Sequence, residues 1–167
     1  RINNEKIKIE KTSVILDELI DSVMTKFLNR HPEQKVTIDI PNEIVVVSVD
    51  PILIEQVLMN LLENAVFHAE NMTHIILRVF ASERKVIFEI ADDGCGIRED
   101  MLKDIFGGTY GTQNNSADGK KRNAGIGLSV CATIIKAHDG EISAENRKDG
   151  GALFRFTLGK EDSAYDE

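Results

Sequence analysis

The chain has 167 residues, of which 42% are hydrophobic and 29% charged, and this composition is typical of one globular domain with a single core. Its 28 acidic residues outnumber its 20 basic ones and give a net charge of −8, which excludes general attraction to nucleic acid over most of the surface. No apolar window could span a bilayer, and residues 1–11 do not resemble a secretory signal, so we expect a cytoplasm-like compartment. The two cysteines lack metal-site spacing, and we expect both to be reduced thiols.

The N-terminal part of the chain predicts a short edge strand and an amphipathic helix. Charged and apolar residues alternate from Lys6 to Ile9, as they do in an edge strand. Apolar residues then recur at helical spacing from Val14 to Phe27, after Thr12 or Ser13 as the N-cap and before Pro32, which ends the helix. We therefore expect the first helix to begin near Thr12.

The next part of the chain predicts a β-hairpin followed by a long helix. The β-branched segments Val36 to Ile40 and Ile44 to Val49 flank a Pro-Asn-Glu turn, so we expect them to pair with each other. Asp50 then serves as a helix cap and Pro51 as a first-turn residue. The helix that follows has one apolar face, formed by Ile54, Val57, Leu58, Leu61, Leu62 and Ala65.

The middle of the chain predicts an antiparallel strand pair, a short helix and a long irregular segment. The strands are expected at residues 75–80 and 86–91, and the helix around residues 99–106. Residues 107–124 are rich in Gly, Asn, Thr, Ser and Lys and show no periodicity. Irregular connections longer than about 12 to 15 residues are uncommon in compact domains and often act as lids. We expect this segment to be a mobile lid.

The last part of the chain predicts a helix, a strand pair and a polar tail. Helical spacing resumes from Gly125 to His138, and residues 141–144 and 152–158 alternate as strands around a Gly-rich turn. Because strands and helices mix without strict β-α-β alternation, the expected fold is α+β, a two-layer sandwich with helices on one face of a mostly antiparallel sheet. We expect one domain over residues 1–159 and an acidic, disordered tail over residues 160–167.

The long helix carries two asparagines, Asn60 and Asn64, one turn apart at the edge of its apolar face. Asparagine is unfavourable inside a helix by roughly half a kcal/mol relative to alanine, so the pair needs a reason. One interpretation is a magnesium site, because this hard cation can take one side-chain carbonyl oxygen and complete its shell with waters and substrate phosphates. The alternative is a pair of asparagines that face solvent or bond to a neighbouring loop.

A second candidate segment follows the strand expected at residues 86–91. Asp92 stands there before Gly94 and Gly96, where its carboxylate can accept a hydrogen bond from an exocyclic amino group. The glycines would let the backbone approach a flat base or a phosphate. The alternative is an ordinary Asp-Gly hairpin turn, although a polar, helix-like stretch follows where a hairpin would return as a strand.

A third candidate segment lies where the expected lid meets the next helix. Residues 125–128 have the sequence Gly-Ile-Gly-Leu, and the free amides of a helix start can bind phosphate oxygens when glycines permit close approach. Lys120, Lys121 and Arg122 lie just upstream and could reach those phosphates. The alternatives are a flexible hinge or a crowded helix crossing for the glycines, and a solvated loop for the basic residues.

Taken in order, these segments resemble the ATP-binding domain shared by histidine kinases, DNA gyrase, the Hsp90 chaperones and MutL. The matching motifs are the N box (residues 57–65), the first glycine box (92–97), the F box (Ile105-Phe106) and the second glycine box (125–130). The likeness extends from residue 6 to residue 158. Within the histidine kinases, the segments most similar to the potassium-responsive sensor kinases are residues 54–58, 145–147 and 150–156.

The resemblance implies a Bergerat-type fold that binds ATP and Mg²⁺ and transfers the ATP γ-phosphoryl group to a histidine. It assigns catalytic roles to Asn64, which would hold the magnesium ion, and to Asn60, which would assist near the phosphates. It also implies that Asp92 reads the adenine amino group. The other residues that it assigns to the ATP site are His68, Gly94, Gly96, Ile97, Tyr110, Lys121, Arg122, Gly125, Ile126, Gly127 and Leu128.

The resemblance further implies a cytoplasmic domain of a membrane-anchored sensor kinase, with no membrane contact of its own. Its partners would be the kinase's own dimerisation and phosphoacceptor domain and a response regulator. No histidine here belongs to a His-Glu or His-Asp phosphoacceptor segment, since His31 precedes Pro32 and the remaining histidines lie inside the predicted domain. We therefore do not expect the chain to phosphorylate itself alone.

Two alternatives remain beside the kinase interpretation. The sequence departs from the family pattern at Phe67, Gly111 and Asn123, which leaves open a pseudokinase or an interaction module of the same fold. A gyrase-like or MutL-like ATPase is disfavoured, because position 60 is an asparagine and those relatives use a glutamate there to activate water.

Overall fold

The computed structural model describes residues 7–68, 71–107 and 119–160, leaving aside the side chains of residue 68 and residues 119–126. In chain order its elements are β1 (Thr12–Ile15), α1 (Leu16–Arg30), β2 (Lys35–Asp39), β3 (Val46–Val49), α2 (Pro51–His68), β4 (His74–Ala81), β5 (Lys85–Asp92), α3 (Glu99–Leu102), α4 (Gly119–Ala137), β6 (Ile142–Asn146) and β7 (Ala152–Gly159). Among the helices of this described part, none has the length and apolar character needed to cross a membrane.

The larger of two sheets has five strands in the order β2-β4-β5-β7-β6. Strand β2 runs parallel to β4, and the other neighbours are antiparallel. Alternate residues of the central strands, such as Leu77, Phe88 and Phe156, are fully buried against the apolar faces of the helices. The rings of Phe88 and Phe156 stack with their centroids 4.6 Å apart. The expected α+β fold, with helices packed against a mostly antiparallel mixed sheet, is therefore confirmed.

Helix α2 begins where the sequence predicts. The Oδ1 atom of Asp50 accepts hydrogen bonds from the backbone N–H groups of Ile52 (3.2 Å) and Leu53 (3.4 Å), which are free donors at a helix start. Pro51 occupies the first helical position, where its missing N–H costs nothing. The apolar face of α2 is buried along its length in the core. This well-capped helix carries Asn60 and Asn64.

The N-terminal expectations are wrong in two respects. No strand forms over the described residues 7–11, and Thr12–Ile15 is strand β1 instead of the start of a helix. Helix α1 begins at Leu16, and the preceding Ile15 provides no side-chain cap. The reason is tertiary, because β1 pairs antiparallel with β3 and places Ile15 opposite Val46. That pairing satisfies backbone groups that Thr12 or Ser13 would otherwise have capped.

The expected hairpin between β2 and β3 does not form. Strand β3 pairs with β1 in the small sheet, whereas β2 pairs with β4 at the edge of the large one. The alternate valines Val45, Val47 and Val49 are buried in the core, while most residues of β2 are exposed. Burial of these valines therefore takes β3 away from its neighbour in the sequence.

The later elements follow the predictions with changed bounds. The pairs β4 with β5 and β6 with β7 are antiparallel as expected. The short helix ends at Leu102, followed by turns, instead of continuing to Phe106. Helix α4 begins at Gly119, so part of the expected lid is helical. The rest of that lid and the tail after Lys160 lie outside the described residues, and the domain boundary after residue 159 stays a prediction.

Candidate functional site

The two asparagines of α2 differ in their surroundings. Asn60 is half-buried and faces helix α4, where its Nδ2 donates a hydrogen bond to the carbonyl oxygen of Gly127 at 3.4 Å. A Cβ atom at Gly127 would lie 3.2 Å from Cγ of Asn60, so the absence of a side chain lets the helices approach. Cys131 lies next to Asn60, and its burial raises the pKa of the thiol to about 12, so the thiol is neutral. Asn60 therefore lies at a closely packed crossing of α2 and α4.

Asn64 lies one turn further along α2 and has only 4% of its surface exposed. Among the described residues, its Oδ1 is the buried side-chain polar atom that has no hydrogen-bond partner. Leaving such an oxygen unpaired typically costs about 1 to 3 kcal/mol, so folding alone does not explain it. A divalent cation with oxygen preference would satisfy this amide oxygen, and the site therefore fits Mg²⁺.

Asp92 ends strand β5 and is almost completely buried, with 3% of its surface exposed. Its Oδ1 accepts hydrogen bonds from the backbone N–H groups of Gly94 (2.8 Å) and Ala152 (3.3 Å). Burial raises the pKa of this carboxyl group, and these two hydrogen bonds partly oppose that effect. Within the described residues no hydrogen bond reaches Oδ2. One oxygen of Asp92 is therefore held by the backbone, and the other remains for a further donor.

Asp93 has a structural role that the sequence did not predict. Its Oδ1 accepts hydrogen bonds from the backbone N–H groups of Thr73 (2.7 Å) and His74 (3.1 Å), and its Oδ2 accepts one from Thr73 Oγ1 (2.7 Å). These bonds, above all the one from the Thr73 hydroxyl, lower the pKa of the exposed Asp93 carboxyl to about 2. Asp93 thereby ties the segment after α2 to the segment after β5.

The second glycine box lies in a different place from the one predicted. Because α4 begins at Gly119, Gly125 and Gly127 lie inside the helix, and the expected helix start at Gly125 is wrong. At Gly127 the structure supports the alternative of a crowded helix crossing. Leu128 is completely buried in the core, where its side chain packs α4 against the rest of the domain, and its assignment to the ATP site stays a prediction.

The remaining predicted site residues fall into two groups. Gly94, Gly96 and Ile97 form one loop with Asp92, and Gly96 has a positive φ of 84° that favours glycine. His68 is the last residue of α2, and its side chain lies outside the description. The same holds for the side chains in the first part of α4, where four residues assigned to the nucleotide lie: Lys121, Arg122, Gly125 and Ile126. Tyr110 lies outside the described residues altogether.

The structure thus joins some candidate residues by direct hydrogen bonds and others by the packing of the elements that carry them. Asn60 contacts Gly127, and Asp92 contacts Gly94. No hydrogen bond joins Asn64 to Asp92 among the described residues. The elements that carry them, α2 and β5, pack against each other, and the hydrogen bonds between Thr73 and Asp93 join the segments that follow these two elements.

Comparison with known proteins gives a consistent result. The model of the family described as "Histidine kinase-, DNA gyrase B-, and HSP90-like ATPase" matches residues 49–162. Sensor protein KdpD of Clostridium acetobutylicum is 35% identical over 154 residues, which cover 92% of this chain and 17% of KdpD. Adaptive-response sensory kinase SasA of Nostoc sp. is 41% identical over 145 residues, which cover 86% of this chain and 34% of SasA. The chain thus spans about a third or less of these sensor kinases.

A solved structure shows the same relationship at the level of the fold. The nucleotide-free catalytic domain of histidine kinase ThkA is 31% identical and superposes with a TM-score of 0.76, covering 91% of this chain and 97% of that domain. ThkA has also been solved in complex with response regulator protein TrrA, and there the match covers 92% of this chain and 42% of the matched chain, with a TM-score of 0.74.

Proposed function

Because the chain belongs to the histidine kinase-, DNA gyrase B- and HSP90-like ATPase family, and within it to the histidine kinase catalytic domains, we propose that it acts as the phosphoryl donor in a two-component sensor kinase. It would bind ATP with Mg²⁺ and donate the γ-phosphoryl group to a histidine on the kinase's dimerisation and phosphoacceptor domain. The family binds ATP, and the observation that carries the proposal is the buried, unpaired Oδ1 of Asn64.

We propose that the magnesium ion is held by Asn64, with Asn60 close to the phosphates. One amide oxygen is too weak a ligand to hold Mg²⁺ alone, so the ion would bind together with the nucleotide phosphates. When bound, it would neutralise charge on the phosphate oxygens during transfer. The contact between Asn60 and Gly127 would keep the two helices that border the phosphates at a fixed separation.

We propose that Asp92 reads the adenine base. Its Oδ1 is fixed by Gly94 and Ala152, so the carboxylate is oriented before any ligand arrives. Its Oδ2 would accept a hydrogen bond from the exocyclic amino group of adenine, a donor that guanine lacks at the same ring position. Burying this carboxylate costs free energy that its two backbone hydrogen bonds and the charge of Arg147 offset only in part, and this cost supports a role in recognition.

The reaction breaks the bond between the γ-phosphorus of ATP and its bridging oxygen and forms a phosphorus–nitrogen bond to the accepting imidazole. ADP leaves with the bridging oxygen, and positioning with charge neutralisation supplies most of the catalysis. The accepting histidine and a response regulator would complete the pathway, in the manner suggested by the ThkA complex with TrrA. The similarity to KdpD supports a potassium-responsive role for the whole protein.

Calorimetric titration with a non-hydrolysable ATP analogue tests the proposal. We expect saturable binding with Mg²⁺, weaker binding with EDTA in place of Mg²⁺, and much weaker binding of the GTP analogue. No saturable heat at millimolar ligand would contradict the proposal and favour a pseudokinase or interaction module. Steady phosphate release from ATP by the isolated domain would instead indicate a gyrase-like ATPase.

A further inference from the structure

The turn between β6 and β7 packs against the segment that carries Asp92. We call residues 146–152 the buttress turn and residues 92–97 the glycine loop. The buttress turn contacts the glycine loop at both of its ends, through side chains and through one close backbone approach. The sequence predicts a turn between strands here and no contact with the glycine loop, so the contact is a product of the tertiary structure.

At the far end of the glycine loop, Asn146 forms two hydrogen bonds with one residue. Its Oδ1 accepts from the backbone N–H of Ile97, and its Nδ2 donates to the carbonyl oxygen of Ile97, both at 2.7 Å. The side-chain amide therefore pairs with Ile97 as the peptide group of a neighbouring strand would. A Cβ at Gly96, where φ is 84°, would lie 2.7 Å from Oδ1 of Asn146, so a side chain there would strain the backbone and displace this amide.

At the near end, the buttress turn holds Asp92 itself. Arg147 donates from Nη1 to the carbonyl oxygen of Asp92 at 2.7 Å, and the N–H of Ala152 donates to its Oδ1. Gly151 has a φ of 93°, and a Cβ there would lie 1.9 Å from the carbonyl oxygen of Asp92. The backbone of the buttress turn thus lies directly against the peptide group that follows Asp92.

We propose that Asn146 is a positioning residue for nucleotide binding, acting through the glycine loop. Fixing Ile97 fixes the path of the loop back to Asp92, whose carboxylate must point at the base. The proposal rests on the proposed adenine contact of Asp92. Asn146 is exposed at the end of β6, so its hydrogen bonds exchange readily for bonds to water and contribute little to global stability. Its two short bonds instead restrict the loop before ligand binds, which lowers the entropy lost on binding.

A double-mutant cycle tests this proposal. ATP affinity is measured for the parent, Asn146→Ala, Asp92→Asn and the double variant, with Ser143→Ala as an exposed control on the same strand. We expect Asn146→Ala to weaken ATP binding about tenfold in the parent, equivalent to about 1.4 kcal/mol, and less than about twofold in the Asp92→Asn background. The control should bind ATP as the parent does, and hydrogen exchange at the Ile97 amide should accelerate in Asn146→Ala.

Each outcome bears on one of the two claims. Additive effects of Asn146→Ala and Asp92→Asn would overturn the proposal, because a general structural role does not depend on Asp92. An unchanged ATP affinity in Asn146→Ala would overturn it as well. Should Asn146→Ala fold poorly, Asn146→Asp keeps the acceptor for the N–H of Ile97, loses the donor, and serves in the same cycle. An unchanged ATP affinity in the single variant Asp92→Asn would instead contradict the proposed adenine contact.

Discussion

The backbone N–H of Asp50 donates a hydrogen bond to Nε2 of His138 at 3.1 Å, which joins the start of α2 to the end of α4. The Nδ1 atom of the same ring lies 2.8 Å from the carbonyl oxygen of Ile134. Because Nε2 accepts, the proton must be on Nδ1 and the ring must be neutral. The helices that carry Asn60 and Gly127 are thus fixed to each other beyond the site as well as within it.

We expect His138→Ala to lower the free energy of unfolding by about 2 to 4 kcal/mol, because two hydrogen bonds are lost at a buried position and the Asp50 N–H loses its partner. Urea denaturation measures this loss. His74→Ala is the control, since its ring bonds Thr37 at an exposed position and should cost less than about 1 kcal/mol. Equal losses in the two variants would contradict the bridging role of His138.

Asp92→Asn should weaken ATP binding about 10- to 100-fold, because a charge-assisted hydrogen bond to the base is replaced by an amide that presents a donor or a weaker acceptor. The fold should tolerate the change, since the amide oxygen can still accept from Gly94 and Ala152. Calorimetric titration and thermal unfolding measure the two effects separately. Parent-like ATP affinity in this variant would show that the assigned adenine contact is wrong.

The same variant should change the pH dependence of stability. Burial raises the pKa of Asp92 above its ordinary value of 3.8, so the folded state binds the proton more tightly than the unfolded state does. The stability linked to this group is present at low pH and lost as pH rises through the raised pKa. Asparagine does not titrate, so the free energy of unfolding of Asp92→Asn should rise relative to that of the parent as the pH is raised from about 4 to about 8. Urea denaturation at both pH values checks the sign.

Asp93 should behave in the opposite way. Its pKa is lowered from 3.8 to about 2 by the hydrogen bonds from Thr73 and His74, so its contribution to stability is fully present above the ordinary pKa. That contribution is lost as pH falls through the folded value. We expect Asp93→Asn to be less stable than the parent near neutral pH, with the difference vanishing in acid. Asp21→Asn, an exposed position on α1, is the control and should show no such convergence.

Asn64→Ala should abolish the advantage that Mg²⁺ gives to ATP binding while leaving the fold intact. The substitution removes a buried unpaired oxygen, which stabilises the fold, and leaves a small cavity, which destabilises it. Each effect is about 1 to 3 kcal/mol, so the free energy of unfolding should change little. The ratio of ATP affinities with Mg²⁺ and with EDTA measures the metal contribution. This ratio should fall towards one in Asn64→Ala and stay unchanged in the exposed helical control Asn29→Ala. A parent-like ratio in Asn64→Ala would exclude this residue as the ligand.

The neighbouring glycines Gly150 and Gly151 form a matched pair. Both have positive φ, of 106° and 93°, but a Cβ at Gly150 meets nothing within 4 Å, whereas one at Gly151 would lie 1.9 Å from the Asp92 carbonyl oxygen. We expect Gly150→Ala to cost about 1 to 2 kcal/mol for backbone strain alone. Gly151→Ala should cost more than about 4 kcal/mol or prevent folding, because backbone must move. Similar losses in urea denaturation would mean that the close approach is unimportant.

Much of the secondary structure could be predicted because its signals are local. The cap at Asp50, the proline that follows it and the apolar face of α2 lie within a few turns of one another, and the structure confirms them. The strand pairs β4 with β5 and β6 with β7 are joined by short turns, so their pairing also follows from neighbouring residues. The order of N box and glycine boxes predicted the family for the same reason, since each motif is a short contiguous segment.

The remaining features depend on residues that are far apart in the chain. Thr12–Ile15 became a strand because β3 was available to pair with it, and the spacing of apolar residues alone could not reveal this partner. Local propensities likewise placed the start of α4 at Gly125 instead of Gly119, because the glycines and polar residues before Gly125 do not favour a helix strongly.

The sequence by itself determined the chemistry that is present, namely two asparagines on a capped helix and an aspartate before two glycines. Only the tertiary structure decided which of these groups is left unpaired and which is held in place. Asn64 and Asp92 owe their burial to packing between distant elements, and Asn146 reaches Ile97 only because β6 and β5 belong to one sheet. Such contacts form when separate strands and helices bury a common core, and spacing along a single chain does not encode them.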